Sequence, residues 1–106
     1  MEALKKHAHV LKTMSRLKPK ALKGVIHSAK PDLIYVLCDI CHNILRGNVN
    51  LSPLHKKRLK VHRHRLRTLA NQKGSVKQKK KLLQKGGLIG ALLRPILGLL
   101  GSFLGN

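Results

Sequence analysis

Acidic, aromatic and sulfur-bearing side chains are all scarce in this chain, and each shortage excludes something. Three acids, Glu2, Asp32 and Asp39, stand against 23 Lys and Arg, and no carboxylate follows residue 39. With so few carboxylates, no Gly-rich phosphate loop after a strand and no Ser or Cys nucleophile beside an orienting acid, the chain does not read as an enzyme. Only Tyr35 and Phe103 carry aromatic rings. A core must therefore be built from Leu, Ile and Val, which favours helices over sheets. The same shortage argues against single-stranded nucleic acid as a ligand, because bases are held by stacking on aromatics interleaved with cations. Cys38 and Cys41 are the only cysteines. They make no disulfide framework, and residues three apart on a helix are poorly placed for a bridge, so a reducing compartment is expected. The stretch MEALKKHAHVLK alternates charge with apolar residues, unlike the continuous apolar core of a secretory signal.

What is abundant is positive charge. The formal net charge is +20, and such self-repulsion opposes a compact state unless a polyanion neutralises it. Nucleic acid is the expected partner, with an anionic membrane surface second. A merely solvated face would mix both signs, and this one does not. The cations gather in two runs: Lys56, Lys57, Arg58, Lys60, Arg63, Arg65 and Arg67, then Lys77, Lys79, Lys80 and Lys81. On helices such side chains neutralise phosphates and release counterions without reading bases, and nothing here resembles a base-reading finger or homeodomain helix. The expectation is duplex binding without sequence preference. Both runs also have the composition of nuclear import signals.

Hydrophobic spacing predicts an all-α fold, a small helical bundle with a basic C-terminal helix and an apolar tail. Over residues 1–17, Leu4, Ala8, Leu11 and Met14 form an amphipathic stripe that Pro19 ends. Leu22, Val25 and Ile26 mark a shorter helix from about Lys20 to Ala29, broken at Lys30-Pro31, with Asp32 expected to cap the next. That next segment, DLIYVLCDICHNILRG, is the core helix: Leu33, Ile34, Leu37, Ile40, Cys41, Ile44 and Leu45 recur at helical spacing, and Gly47 suits its C-terminus. Ser52-Pro53 is an N-cap and first-turn pair that should open a fourth helix to about Ala70, with Leu59, Val61, Leu66 and Leu69 inward. NQKGS reads as a hinge, with Ser75 capping the helix VKQKKKLLQK. The expected organisation is an N-terminal helix over 1–17, a bundle over 18–70, a hinge and basic helix over 71–85 and a tail over 86–106.

Two patterns suggest cofactors. Cys38-Asp39-Ile40-Cys41-His42 matches the string of c-type haem attachment, but it sits inside the strongest amphipathic helix of a chain with little room for a haem pocket. His55, His62 and His64 follow the cysteine pair, yet their intervals fall outside zinc-finger spacing and no second cysteine pair exists. Cys41 is expected to be structural, the histidines to add hydrogen-bond donors to a basic helix, and no metal or cofactor is expected.

The last segment, GGLIGALLRPILGLLGSFLGN, is Gly- and Leu-rich with one charge, Arg94, and one proline, Pro95. Leu88, Ile89, Leu92, Leu93, Ile96, Leu97, Leu99, Leu100 and Phe103 offer three readings: protein docking or self-assembly, an interfacial membrane helix, or a short span burdened by a central Arg.

KQKKKLLQKGGLIGALLRPILGLLG, residues 77–101, resembles the adenovirus core protein X (mu precursor) family, in which a basic DNA-condensing stretch precedes a double glycine and an apolar tail. NILRGNVNLSPLHKKRLKVHRHRLRTLA, residues 43–70, is similar to small basic proteins of Maverick/Polinton elements and the related adintoviruses. The resemblance implies a virion core protein that compacts linear double-stranded DNA, found in the virion core and the host nucleus. Lys77, Lys79, Lys80 and Lys81 match the basic stretch, and Gly86 and Gly87 the glycine pair. With such a role, the tail is expected to tether condensed DNA to capsid protein or to other copies. Two alternatives stay open from the residues themselves: a membrane-active protein that uses the tail, and an RNA-binding ribonucleoprotein component.

Overall fold

The computed structural model describes residues 2–71, 74–85 and 87–98. Within them the chain forms eight helices and no strand: α1 (Glu2–Lys6), α2 (Ala8–Met14), α3 (Pro19–Ser28), α4 (Pro31–Leu45), α5 (Pro53–Val61), α6 (Arg63–Ala70), α7 (Val76–Leu83) and α8 (Leu88–Leu93), followed by a 3-10 turn over Arg94–Ile96. The all-α expectation holds.

Helix α4 is the axis of the molecule. Leu33, Ile34, Val36, Leu37, Cys38, Ile40, Cys41 and Ile44 are all buried along it, too many for one stripe, because α1, α6 and α7 pack around it. Leu45, expected inside, is 42% exposed. The helix begins without the expected Asp32 cap: Lys30 stands at the N-cap without a side-chain bond, Pro31 takes the first turn, and Asp32 lies inside that turn. An extended residue ahead of a first-turn proline starts a helix without a capping oxygen, since proline has no amide to satisfy, and Asp32 still faces the positive end of the dipole. At the C-terminus, Gly47 adopts φ 77°. Its amide donates to the Ile44 carbonyl at 3.2 Å while the Asn48 amide donates to the Asn43 carbonyl at 2.9 Å, the paired closure of a Schellman motif.

The N-terminal stripe forms as expected, with Leu4, Ala8, Leu11 and Met14 buried. It is carried by two short helices that break at His7 (φ −103°, ψ 13°). The expected fourth helix is likewise two, α5 and α6, meeting at His62 (φ −101°, ψ 13°). There the amide of His62 donates to the Leu59 carbonyl three residues back, a local tightening to 3-10 geometry. Ser52 caps α5, its Oγ accepting from the His55 amide at 3.2 Å. Ser75 opens α7 with a complete capping box: its Oγ accepts from the Gln78 amide, and Gln78 Oε1 accepts from the Ser75 amide. Gly74 precedes that box at φ 89°, where a Cβ would stand 2.5 Å from Gln78 Oε1, so both the backbone and the cap require glycine.

One core runs through the described residues, from Leu4 in α1 to Ile96 in the 3-10 turn. The expected boundary between a bundle ending at residue 70 and separate C-terminal units is therefore not a boundary in packing. Leu83 of α7 and Leu88, Ile89, Leu92, Leu93 and Ile96 belong to the same cluster as the α4 side chains. With no Trp and almost no other aromatic side chain, many small aliphatic side chains are needed to fill a core at normal packing density, and the C-terminal segment supplies them.

Candidate functional site

On an α-helix each residue turns about 100°, so neighbours recur on one face at three- and four-residue intervals. Leu59, His62, Leu66 and Leu69 follow that rule and face inward: the three leucines are buried and His62 is half-buried. One position round, Lys56, Lys60, Arg63 and Arg67 share a stripe at intervals of four, three and four residues, and all four are exposed. Lys57 and Arg58 are exposed as well. Lys57 borders the stripe and Arg58 lies round the helix from it, two residues from both Lys56 and Lys60; six of the seven cations expected in the first basic run are thus exposed on α5 and α6. The seventh, Arg65, is half-buried and its guanidinium donates to His62 Nδ1 at 3.3 Å. Burial, with the neighbouring Arg65 charge, holds His62 below its ordinary pKa of 6.5, which matches a ring accepting at Nδ1.

Val61 departs from its expected place. It lies two residues from Leu59 and from Arg63, on the far side of the helix from the core, and is 82% exposed. An apolar residue in the middle of the basic stripe's neighbourhood is thus a surface residue.

The second basic run is divided by its register. Val76, Lys79 and Leu83 occupy one stripe of α7, and this stripe faces the core. Lys79 is only 4% exposed, with Nζ 5.0 Å from the centre of the Tyr35 ring on α4. The aliphatic stem fills core space and the ammonium rests on an aromatic face. The expectation that Lys79 contacts phosphate is corrected: it is an internal side chain. Lys80 is half-buried, and its Nζ donates to the His27 carbonyl at 2.9 Å, an acceptor at the C-terminal end of α3, where carbonyls lack helical partners and a cation also suits the dipole. Gln84 Nε2 adds a bond to the Lys23 carbonyl at 3.1 Å. Helix α7 is thus fastened to α3 by Gln84 and by Lys80, a side chain expected to meet an external anion, and only Lys77 and Lys81 of its four cations are exposed.

The apolar segment also departs from expectation. Leu88, Ile89, Leu92, Leu93 and Ile96 are at most 4% exposed, with α8 packed on α5. Over these residues it is core and not a docking or membrane-facing surface, because burying aliphatic area inside the chain satisfies the same driving force that would seek a partner. Leu97 is 40% exposed. Leu99, Leu100 and Phe103, and Gly86 of the glycine pair, lie outside the described residues. No described helix is long and apolar enough to cross a membrane.

Cys38 and Cys41 are free and buried. Desolvation raises both thiols above their ordinary range; a nearby Lys79 charge partly offsets this at Cys38, and Cys41 sits higher still. Thiols held protonated are poor nucleophiles. Among the described residues, no three His, Cys, Asp or Glu side chains gather as metal ligands. No protein-family model, curated protein or solved structure matches the chain.

Proposed function

We propose that the protein binds double-stranded DNA without sequence preference and compacts it, as the basic core protein of a DNA virus or virus-like element. The observation that carries this reading is the exposed stripe of Lys56, Lys60, Arg63 and Arg67, with Lys57 beside it and Arg58 exposed elsewhere on α5, in a chain with no acidic residue after Asp39. Lys56 and Lys60 on α5, and Arg63 and Arg67 on α6, form two pairs of cations each about 6 Å apart along its helix at 1.5 Å per residue, so several phosphates of a duplex lie within reach of their long side chains. Neutralising them releases condensed counterions, which gives affinity that depends on salt and not on base sequence. Lys77 and Lys81 are further exposed cations, on α7; Lys79 and Lys80 are committed to the fold.

The test is a salt titration of binding to random-sequence duplex DNA. In the variant with Lys56, Lys57, Arg58, Lys60, Arg63 and Arg67 all changed to Gln, the log–log slope should fall by up to about 5, at ~0.9 for each phosphate no longer neutralised. A shallow slope that the six substitutions leave unchanged would overturn the reading. Duplex RNA at matched salt is the companion measurement, and clearly tighter binding to RNA would move the protein into the ribonucleoprotein class.

A further inference from the structure

A cleft of about 650 Å³ opens between the end of α2, α3, the end of α5 and the α7–α8 junction, bordered on the α5 side by Arg58, Val61 and His62. Its volume falls inside the range of roughly 300–1,000 Å³ usual for small-molecule sites, and sites between the helices of a bundle are common. Its accessible wall is largely aliphatic: Leu17, Leu22, Val61 and Ala91 line it with surface to offer, while the core residues Ile26, Leu88 and Ile89 border it with at most 4% of their surface exposed. Its charged residues are Lys23, Arg58, Lys85 and Arg94, all exposed, and no acid lines it among the described residues. Val61, the most exposed of the large apolar side chains, lies on the same lining.

An aliphatic interior with cations and no anion is complementary to one kind of small molecule: an apolar chain with an anionic head. We infer that this cleft binds a single-chain fatty acid, its hydrocarbon lying against Leu17, Leu22 and Ala91 and its carboxylate drawn to the lining cations Lys23, Arg58, Lys85 and Arg94. Guanidinium groups suit the head, since Arg pairs with carboxylates in bidentate geometry. The lining is gathered from short segments of five helices, a patchwork that suits a flexible chain better than the straight groove in which a partner helix lays successive turns. This site is separate from the proposed DNA surface except at Arg58.

Gly90 makes the test sharp. It lines the cleft, and a Cβ built there meets no atom within 4 Å, so Gly90→Leu places a side chain in the empty space, leaves the net charge unchanged and improves helix propensity. Calorimetric titration of the full chain with dodecanoate, below its micelle concentration, should give saturable binding of one molecule per chain. Dodecanol and acetate, lacking the head and the chain respectively, should bind far more weakly. Gly90→Leu should weaken dodecanoate about tenfold or more, equivalent to ~1.4 kcal/mol, with helical circular dichroism and melting retained and duplex DNA binding unaltered. Changing Lys23, Arg58, Lys85 and Arg94 to Gln should also weaken it, whereas the same change at Lys56, Lys57, Arg63 and Arg67 should not. Equal losses in the two charge variants, or no loss in Gly90→Leu, would mean diffuse attraction of an anionic detergent to a cationic protein and would overturn the site. A Gly90→Leu-sensitive cleft that takes an acidic amphipathic peptide but not dodecanoate would overturn the fatty-acid assignment in favour of a protein partner.

Discussion

Helices α5–α6 and helix α7 carry the two basic runs of the chain, and by composition they are interchangeable. In three dimensions they do different things. On α5–α6 six cations project to solvent and three leucines hold the helices to the core. On α7 the inward stripe is Val76, Lys79 and Leu83, so one cation of four is taken into the core and another is bonded to the His27 carbonyl. The difference comes from register alone: a lysine three residues from one aliphatic contact and four from the next lies on the buried face whatever its charge. Counting basic residues therefore overstates the charge that a polyanion can meet, and the correction falls on the run that most resembles a viral DNA-condensing stretch.

The largest effects should come from the aliphatic side of this comparison. Leu69→Ala on α6 and Leu92→Ala on α8 each remove a fully buried side chain, and each should cost about 2–5 kcal/mol in denaturant unfolding. Val61→Ala, within the same basic run, should stay within about 0.5 kcal/mol. If Leu92→Ala proved as mild as Val61→Ala, the C-terminal segment would not be part of the core and its free-tail reading would return.

Within α7 a pair of single changes separates structural from available charge. Lys79→Gln should destabilise the fold by about 1–2 kcal/mol, because the Tyr35 ring would no longer face a cation, and leave the salt slope of DNA binding where it was. Lys81→Gln should do the reverse, lowering that slope by about one with little change in melting. Reversed results would mean that Lys79 leaves the core to reach phosphate.

Ser75→Ala removes the hydroxyl half of the α7 capping box and should cost about 1 kcal/mol, seen as a lower melting temperature. The loss should be accompanied by easier amide exchange in the first turn of α7 and none in α5, whose own cap is Ser52.

The smallest effect concerns the α5–α6 junction. His62 has its pKa lowered in the folded state by burial and by Arg65, so on acidification the unfolded chain takes up this proton first. The sign follows: stability from a neutral His62 is present above pH 6.5 and is lost as pH falls below it through the lower folded value. Wild type and His62→Gln should converge or cross as the pH is lowered through that window, in paired melting curves at matched ionic strength. Parallel curves would mean that the ring titrates alike in both states.

Much of this molecule is legible in its residues. The stripe of Leu4, Ala8, Leu11 and Met14, the core helix around Leu37 and Cys41, the caps at Ser52 and Ser75 and the closure at Gly47 all follow from interactions within a few residues of chain, where spacing and capping chemistry act directly. The positions that depart from expectation are also specific. Val61 groups with Leu59 by its apolar character, although its position two residues on sets it on the opposite face. Lys79 groups with its charged neighbours by composition, although the spacing from Val76 and to Leu83 marks the inner face. The breaks at His7 and His62 carry no proline or glycine to announce them.

The fate of residues 88–96 is of another kind. Their sequence determined that they are apolar, and composition alone determined the sign of the protein's net charge, since no arrangement of three acids offsets 23 cations. Whether the apolar segment would meet a membrane, another copy or its own chain depended on what aliphatic surface the other helices left uncovered. Only the tertiary structure decided that, because hydrophobic burial is non-directional and local sequence does not say which partner surface will be nearest.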